Sequence, residues 1–212
     1  MHYLWYDTET GGLEADTHSL LTAYFGIYDR EFNMIDDLYL QLKPEDESTI
    51  CVTPKAMEIT GINLEDHLRD PNTITYPEGA KKLLTMLNKH KIPRKRKHYR
   101  PSGHNLDFDQ DFIWGQLLPK EDWMKTVHYN TLDTLRGLTM FQDMGLMPVE
   151  LGQLTSLVEY FDIKMGEAHN AREDIKMNIE VYKRMKSMFQ EKKKDFAGNS
   201  NNSLLGIIEG AV

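Results

Sequence analysis

Apolar and polar positions change period several times along the chain. His2 to Tyr6 mixes aromatic and aliphatic residues, Leu20 to Tyr28 is rich in aromatics and small apolar residues, and Asp37 to Leu42 alternates, which predicts three strands in succession and an antiparallel start. Helical spacing follows from Pro54 to Ile59, closed by Gly61, and from Pro77 to Asn88, where Ala80, Leu83, Leu84 and Leu87 share a face behind a first-turn proline. Pro93 breaks any helix through Lys89 to Arg100, so this stretch reads as an exposed loop leading into a short strand that ends near His104. A helix over 108–118, a strand over 127–132 and a helix over 134–144 come next. Leu151, Leu154, Leu157, Val158 and Phe161 form one apolar helical face, and a long amphipathic helix spans 171–190. Residues 191–212 open with Lys192, Lys193 and Lys194, continue through Gly198 to Ser203, and read as a polar, loosely attached tail after a single 1–190 domain. Strands first, then alternating helices and strands, predict an α/β fold with a mixed sheet covered by helices.

The 212 residues are 40% hydrophobic and 27% charged, an ordinary globular composition that excludes fibrous and disordered classes. No run approaches the roughly 18 apolar residues of a membrane span, and the N-terminus lacks the basic and apolar regions of a signal peptide, so the expectation is a cytoplasmic protein without a membrane partner. Cys51, the one cysteine, rules out an internal disulfide and a cysteine-based zinc cluster; a metal here must be held by oxygen or imidazole. Net charge is −8, yet Gly79 to Leu106 contains no acid and nine Lys and Arg residues, leaving −17 on the rest. An acidic body that concentrates carboxylates around cations, with one basic segment that grips a polyanion, accounts for both halves.

Three acidic places carry candidate chemistry. Asp7 and Glu9 lie two apart at the end of the first strand and project to one face, either toward a shared cation or as solvated acids before the Gly11-Gly12 turn. In His104-Asn105-Leu106-Asp107-Phe108-Asp109-Gln110-Asp111, the Asp107 to Gln110 spacing resembles a capping box, which would occupy Asp107 with backbone N–H groups, free Asp109 in the first turn and leave Asp111 facing solvent. Asp109 alone is equally consistent with a dipole-favoured first-turn acid. In His169-Asn170-Ala171-Arg172-Glu173-Asp174, Asn170 and Glu173 have N-cap and N3 spacing, so Asp174 falls in the first turn of a helix and His169 on the loop before it, either turned toward the same cleft or, as a lone histidine more often is, structural.

Asp7-Thr8-Glu9-Thr10-Gly11-Gly12, then His104-Asn105-Leu106-Asp107-Phe108-Asp109, then His169 and Asp174, together resemble the three motifs of the DEDDh (DnaQ-like) 3′→5′ exonuclease family. Ile59-Thr60-Gly61-Ile62 and Leu132-Asp133-Thr134-Leu135 resemble its connecting pieces. The resemblance spans about residues 1–188 and does not include the basic loop or the tail. It implies an RNase H-like fold with a mixed five-stranded central sheet flanked by helices. It also implies roles: Asp7, Glu9 and Asp174 around one divalent ion, Asp7 and Asp109 around a second, and His169 as general base. Mg²⁺ or Mn²⁺ suits such a donor set, and the implied reaction hydrolyses the terminal phosphodiester of single-stranded DNA or RNA with a free 3′ end to release a nucleoside 5′-monophosphate. A polymerase or another replication or repair protein is the partner such an activity suggests.

Other residues take secondary roles. Backbone around Thr10 to Gly12 could approach the terminal sugar, with Leu13 against the terminal base; a simple turn and a core anchor are the alternatives. His104 and Asn105 either line the cleft or end a strand, and Asp133 reads as an N-cap rather than a ligand. Arg94, Lys95, Arg96 and Lys97 are candidates for phosphates of the upstream strand, against a solvated loop or a protein-binding one; with Tyr99 as its lone aromatic, the loop offers little for base stacking. A catalytically silent nucleic-acid-binding or partner-binding module, and an endonuclease of the wider RNase H-like group, are the competing functions.

Overall fold

The computed structural model describes residues 1–164 and 171–209, with residues 192–209 as backbone alone. Six strands form one mixed sheet: β1 (His2–Thr10), β2 (Leu20–Tyr28), β3 (Met34–Lys43), β4 (Thr73–Thr75), β5 (Tyr99–Gly103) and β6 (Leu132–Asp133), in the order β4-β3-β2-β1-β5-β6. β1, β2 and β3 pair antiparallel, β5 runs parallel to β1, and β6 parallel to β5. The expected five strands become six because the three-residue segment Thr73–Thr75 pairs parallel with Gln41–Lys43 at the outer edge of β3. So short a run shows no alternation, so it is set by its neighbour rather than by pattern. The expected strand over 127–132 is reduced to Leu132–Asp133, with Val127 making a single bridge to Tyr99 and the polar residues between leaving the sheet.

Helices α1 (Pro54–Thr60), α2 (Leu64–Arg69), α3 (Tyr76–Lys89), α4 (Leu106–Phe112), α5 (Lys120–Thr126), α6 (Thr134–Asp143), α7 (Leu154–Tyr160) and α8 (Ala171–Glu209) complete the described fold. Sequence periodicity did not predict α2 or α5, each less than two turns long. The helix expected over 108–118 instead begins at Leu106 and widens into a π-turn over Ile113–Leu117. Thr53 caps α1 by accepting from the Ala56 N–H, Pro54 occupies its first turn, and Gly61 closes it at φ 68°. α8 runs on through the segment read as a tail.

β1 alternates, and the alternation sorts its side chains into two layers. Leu4 and Tyr6 join Phe25, Leu83, Phe112 and Trp123 on the α3–α4–α5 side. Trp5, one position along, packs with Tyr24 and Tyr28 against Ala171, Ile175 and Ile179 of α8. Every residue of β2 is buried, as expected for a strand covered on both faces. α6, α7 and the middle of α8 close a second small core around Leu138, Phe141, Leu157 and Val181. Burying Ile175 and Ile179 contributes about 1.5–3 kcal/mol each and fixes the rotation of α8 on the sheet. That rotation sets Asp174, at the flank of the same stripe, against β1.

Candidate active site

Asp7 and Glu9 share the α8 face of β1, opposite Tyr24 and Thr22 of β2 in register. Carboxylate oxygens of Asp7, Glu9 and Asp174 all lie within 4.8 Å of one another. Burial, then the Asp7 and Asp174 charges, push Glu9 up to about 8; burial and Asp174 push Asp7 up as well. Three half-buried acids at this spacing repel one another, and an oxygen-seeking divalent cation relieves that repulsion, so the donor set fits a hard metal ion.

Asp109 lies on the other side of β1, against Thr8, and is not one of the three acids whose oxygens meet within 4.8 Å. It is buried at 3% exposure, and its Oδ1 accepts from the Thr8 hydroxyl at 2.7 Å. Burial, and then the Asp7 charge, raise its pKa well above the carboxylate range. Its helix starts by a different device from the expected capping box. Asn105 holds a left-handed conformation (φ 62°), and the backbone N–H groups of Asn105 and Leu106 donate to the Asp133 carboxylate at 3.1 and 2.9 Å. The same carboxylate accepts from the Leu135 N–H at 2.9 Å as the N-cap of α6, so Asp133 caps two helices. Asp107 is exposed and pairs with Arg136 instead of capping, and Asp111 is exposed.

A cleft of about 590 Å³ opens beside Glu9, between the loop after β1 and helix α1, with Leu13, Ala56, Ile59 and Phe108 among its walls. Leu13 stands at its rim, 78% exposed. Thr10 and Gly12 line the cleft and are also bound to each other, the Thr10 hydroxyl donating to the Gly12 carbonyl at 2.6 Å. A Cβ on Gly12 would meet the His18 ring at 2.4 Å, so glycine is required by the loop's own packing. One residue that the motifs do not mark holds this loop: Gln116, in the π-turn, accepts from the Leu20 N–H at 2.8 Å and donates to the Ala15 and His18 carbonyls at 2.8 and 2.7 Å. Every polar atom of its amide is spent on the loop, a role visible only once 96 and more residues of separation are folded together.

His104 and Asn105 are not among the residues lining the cleft. His104 Nδ1 lies 2.9 Å from Thr134 Oγ1 and Nε2 lies 3.1 Å from the Gly152 carbonyl, while burial holds its pKa below the ordinary value. Thr134 also bonds Asn178 of α8 at 2.8 Å, one turn beyond Asp174. This end of β5 therefore braces α6 and α8. Arg94, Lys95, Arg96 and Lys97 lie on the loop before β5, whose first residue, Tyr99, is in register with His2. Glu9 lies seven residue steps along β1 from His2, about 23 Å, so the loop sits at the opposite end of the sheet from the carboxylates. His169 lies outside the described residues.

No family model matches the chain, and no curated protein matches it. Among solved structures, E. coli exonuclease I in complex with a dT13 oligonucleotide superposes with a TM-score of 0.64 at 20% identity over 92% of this chain and 43% of that one. A zinc-bound complex of the E. coli enzyme with single-stranded DNA gives 0.67 at 20% identity over 90% and 42%, and exonuclease I from Methylocaldum szegediense 0.64 at 21% over 85% and 39%. The chain thus spans less than half the length of the exonuclease I chains it resembles. With them it shares the RNase H-like fold: a mixed sheet flanked by helices.

Proposed function

We propose that this chain is a divalent-metal-dependent 3′→5′ exonuclease that shortens single-stranded nucleic acid one nucleotide at a time. The observation that carries the reading is the meeting of Asp7, Glu9 and Asp174, from two distant elements, within 4.8 Å at the edge of a nucleotide-sized cleft. The exonuclease I neighbours, two of them bound to single strands, support it.

Asp7, Glu9 and Asp174 would hold one Mg²⁺ or Mn²⁺, with Asp7 and Asp109 beside a second. Such ions, when bound, supply a polarised phosphodiester and a more acidic water at neutral pH. Thr8 holds the Asp109 carboxylate in place through its hydroxyl. Leu13 and Phe108 give the terminal base an apolar seat, and the tight turn at Gly11-Gly12 brings backbone near the terminal sugar. His169, two positions before Ala171 in the sequence, takes the proton from the attacking water at an imidazole nitrogen. As the water oxygen bonds to phosphorus, the P–O3′ bond breaks, and the 3′ oxygen of the shortened strand takes up a proton from solvent to become a free 3′-hydroxyl while a nucleoside 5′-monophosphate is released.

A 5′-labelled single strand incubated with the protein and Mg²⁺ tests this. Products shortened in single-nucleotide steps, with 5′-monophosphates released and a circular strand left intact, are expected. Cleavage of the circle, or no cleavage with either Mg²⁺ or Mn²⁺, would overturn the reading.

A further inference from the structure

The end of the sheet remote from the carboxylates gathers cations from separate parts of the chain. Loop 90–98 meets the N-terminus of β1, since the His2 N–H donates to the His98 carbonyl at 2.9 Å. The β2–β3 turn reaches the same end through the Tyr3–Tyr28 register and carries Arg30. Arg30 and Lys95 both act electrostatically on the Met1 amino group, and both lower its pKa after burial does. Arg94, Lys95 and Arg96 are exposed, and Arg30 and Arg94 to Lys97 form no ion pair among the described residues. Of the acids near this end, Asp29 holds the turn by accepting from the Glu31 and Asn33 N–H groups, Asp36 pairs with Lys89 and His90, and the exposed Glu31 carboxylate forms no ion pair among the described residues. Arg30 and Arg94 to Lys97 outnumber that one acid, so this end of the sheet is locally positive in a chain of net charge −8 and attracts anions.

An aromatic platform adjoins them. The His98 N–H donates to the Thr126 carbonyl and the His128 N–H to the Tyr99 carbonyl, both at 2.8 Å, so residues 126–128 run beside the end of the basic loop. Tyr99 itself is fully buried, but His128 stacks on Tyr129 with centroids 4.5 Å apart, and Tyr129 is 77% exposed. Cations beside a solvent-facing aromatic ring fit phosphates and bases together, which favours nucleic acid over an acidic peptide.

We propose that Arg94, Lys95, Arg96, Lys97 and Tyr129 form a distal binding surface for the same single strand whose 3′ end lies at the carboxylates. This rests on the exonuclease reading for the strand's direction. The separation of about 23 Å corresponds to about seven stacked nucleotides, so only longer strands engage both ends.

The test measures binding of the full chain to fluorescent 3′-blocked oligothymidylates of about 5 and about 30 nucleotides, without divalent ion, at several salt concentrations. The variants are R94S/K95S/R96S/K97S and Y129A, all at surface positions, with folding verified by thermal melts. The quadruple variant should weaken binding of the long strand about tenfold or more and flatten its salt dependence by roughly 0.7 for each phosphate that is no longer neutralised; Y129A should weaken it about fivefold or more. The short strand should bind all three proteins alike. Equal losses for both lengths, no loss for the long strand, or a loss confined to binding of a polyglutamate control would overturn the proposal. Single-nucleotide trimming by wild-type protein is scored separately with an unblocked strand, so its absence would count against the exonuclease reading and leave the binding result to stand or fall by itself.

Discussion

The Thr8 hydroxyl donates to Asp109 across 2.7 Å, joining residues 101 positions apart. Thr8 stands between Asp7 and Glu9 on β1, so one side chain of that strand fixes the acid that approaches from α4 while its neighbours face the acid on α8. The bond also restrains the rise in the Asp109 pKa that burial and Asp7 impose. Thr8→Val keeps the shape and removes the donor. It should cost about 1 kcal/mol of stability. Turnover should fall about ten- to a hundredfold, with the acid limb of the pH–rate profile displaced to higher pH, because Asp109 then loses its proton less readily. Chemical denaturation and the pH–rate profile of the variant read both effects.

Stability without divalent ion should fall as pH rises. Glu9 and Asp7 have folded-state pKa values above their unfolded ones, so between the ordinary carboxylate range and about pH 8 the folded state binds more protons than the unfolded state. Unfolding free energy then decreases with pH through that window and levels off above it. Mg²⁺ should raise Tm more at pH 8 than at pH 5, since protons compete with the metal at the lower pH. Melting curves with and without Mg²⁺ at the two pH values check this; an equal Mg²⁺ effect at both would contradict it.

Glu9→Gln removes one of three mutually repelling carboxylates. In metal-free buffer at pH 8 it should raise Tm by a few degrees, and in the presence of Mg²⁺ it should abolish trimming, the signature of a residue kept for chemistry at the expense of stability. A lower Tm together with retained activity would assign Glu9 a structural role.

Gln116→Met preserves side-chain length and loses all three bonds to the loop that carries Leu13. KM for a short oligonucleotide should rise about tenfold with kcat within about twofold, since the carboxylates are untouched. Faster amide exchange at Leu20, whose N–H the glutamine accepts, should accompany it.

What the sequence made legible was local. Asp7 and Glu9 on one face of a strand, the apolar stripe that turns α8 toward the sheet, and Asp133 as an N-cap all follow from spacing within a few residues. The interactions that escaped are long-range. Asp107 and Gln110 have the spacing of a capping box, but Asp133 already satisfies the N–H groups that begin α4. Gln116 lies far along the chain from the loop it holds, and Tyr129 joins the basic end only because the Val127–Tyr99 bridge carries it there. β4, α2 and α5 are too short to show a period and take their conformation from packing and caps, as when Asn63 accepts from the Glu65 and Asp66 N–H groups to start α2.

The most direct measurement is Mn²⁺ binding followed by electron paramagnetic resonance, on wild-type protein and on Asp7→Asn, Glu9→Gln and Asp174→Asn. Saturable binding in the wild type that weakens about tenfold or more in each variant is the predicted result. Unchanged Mn²⁺ affinity in all three would show that these carboxylates do not act together on a cation, and the account would fail at its centre.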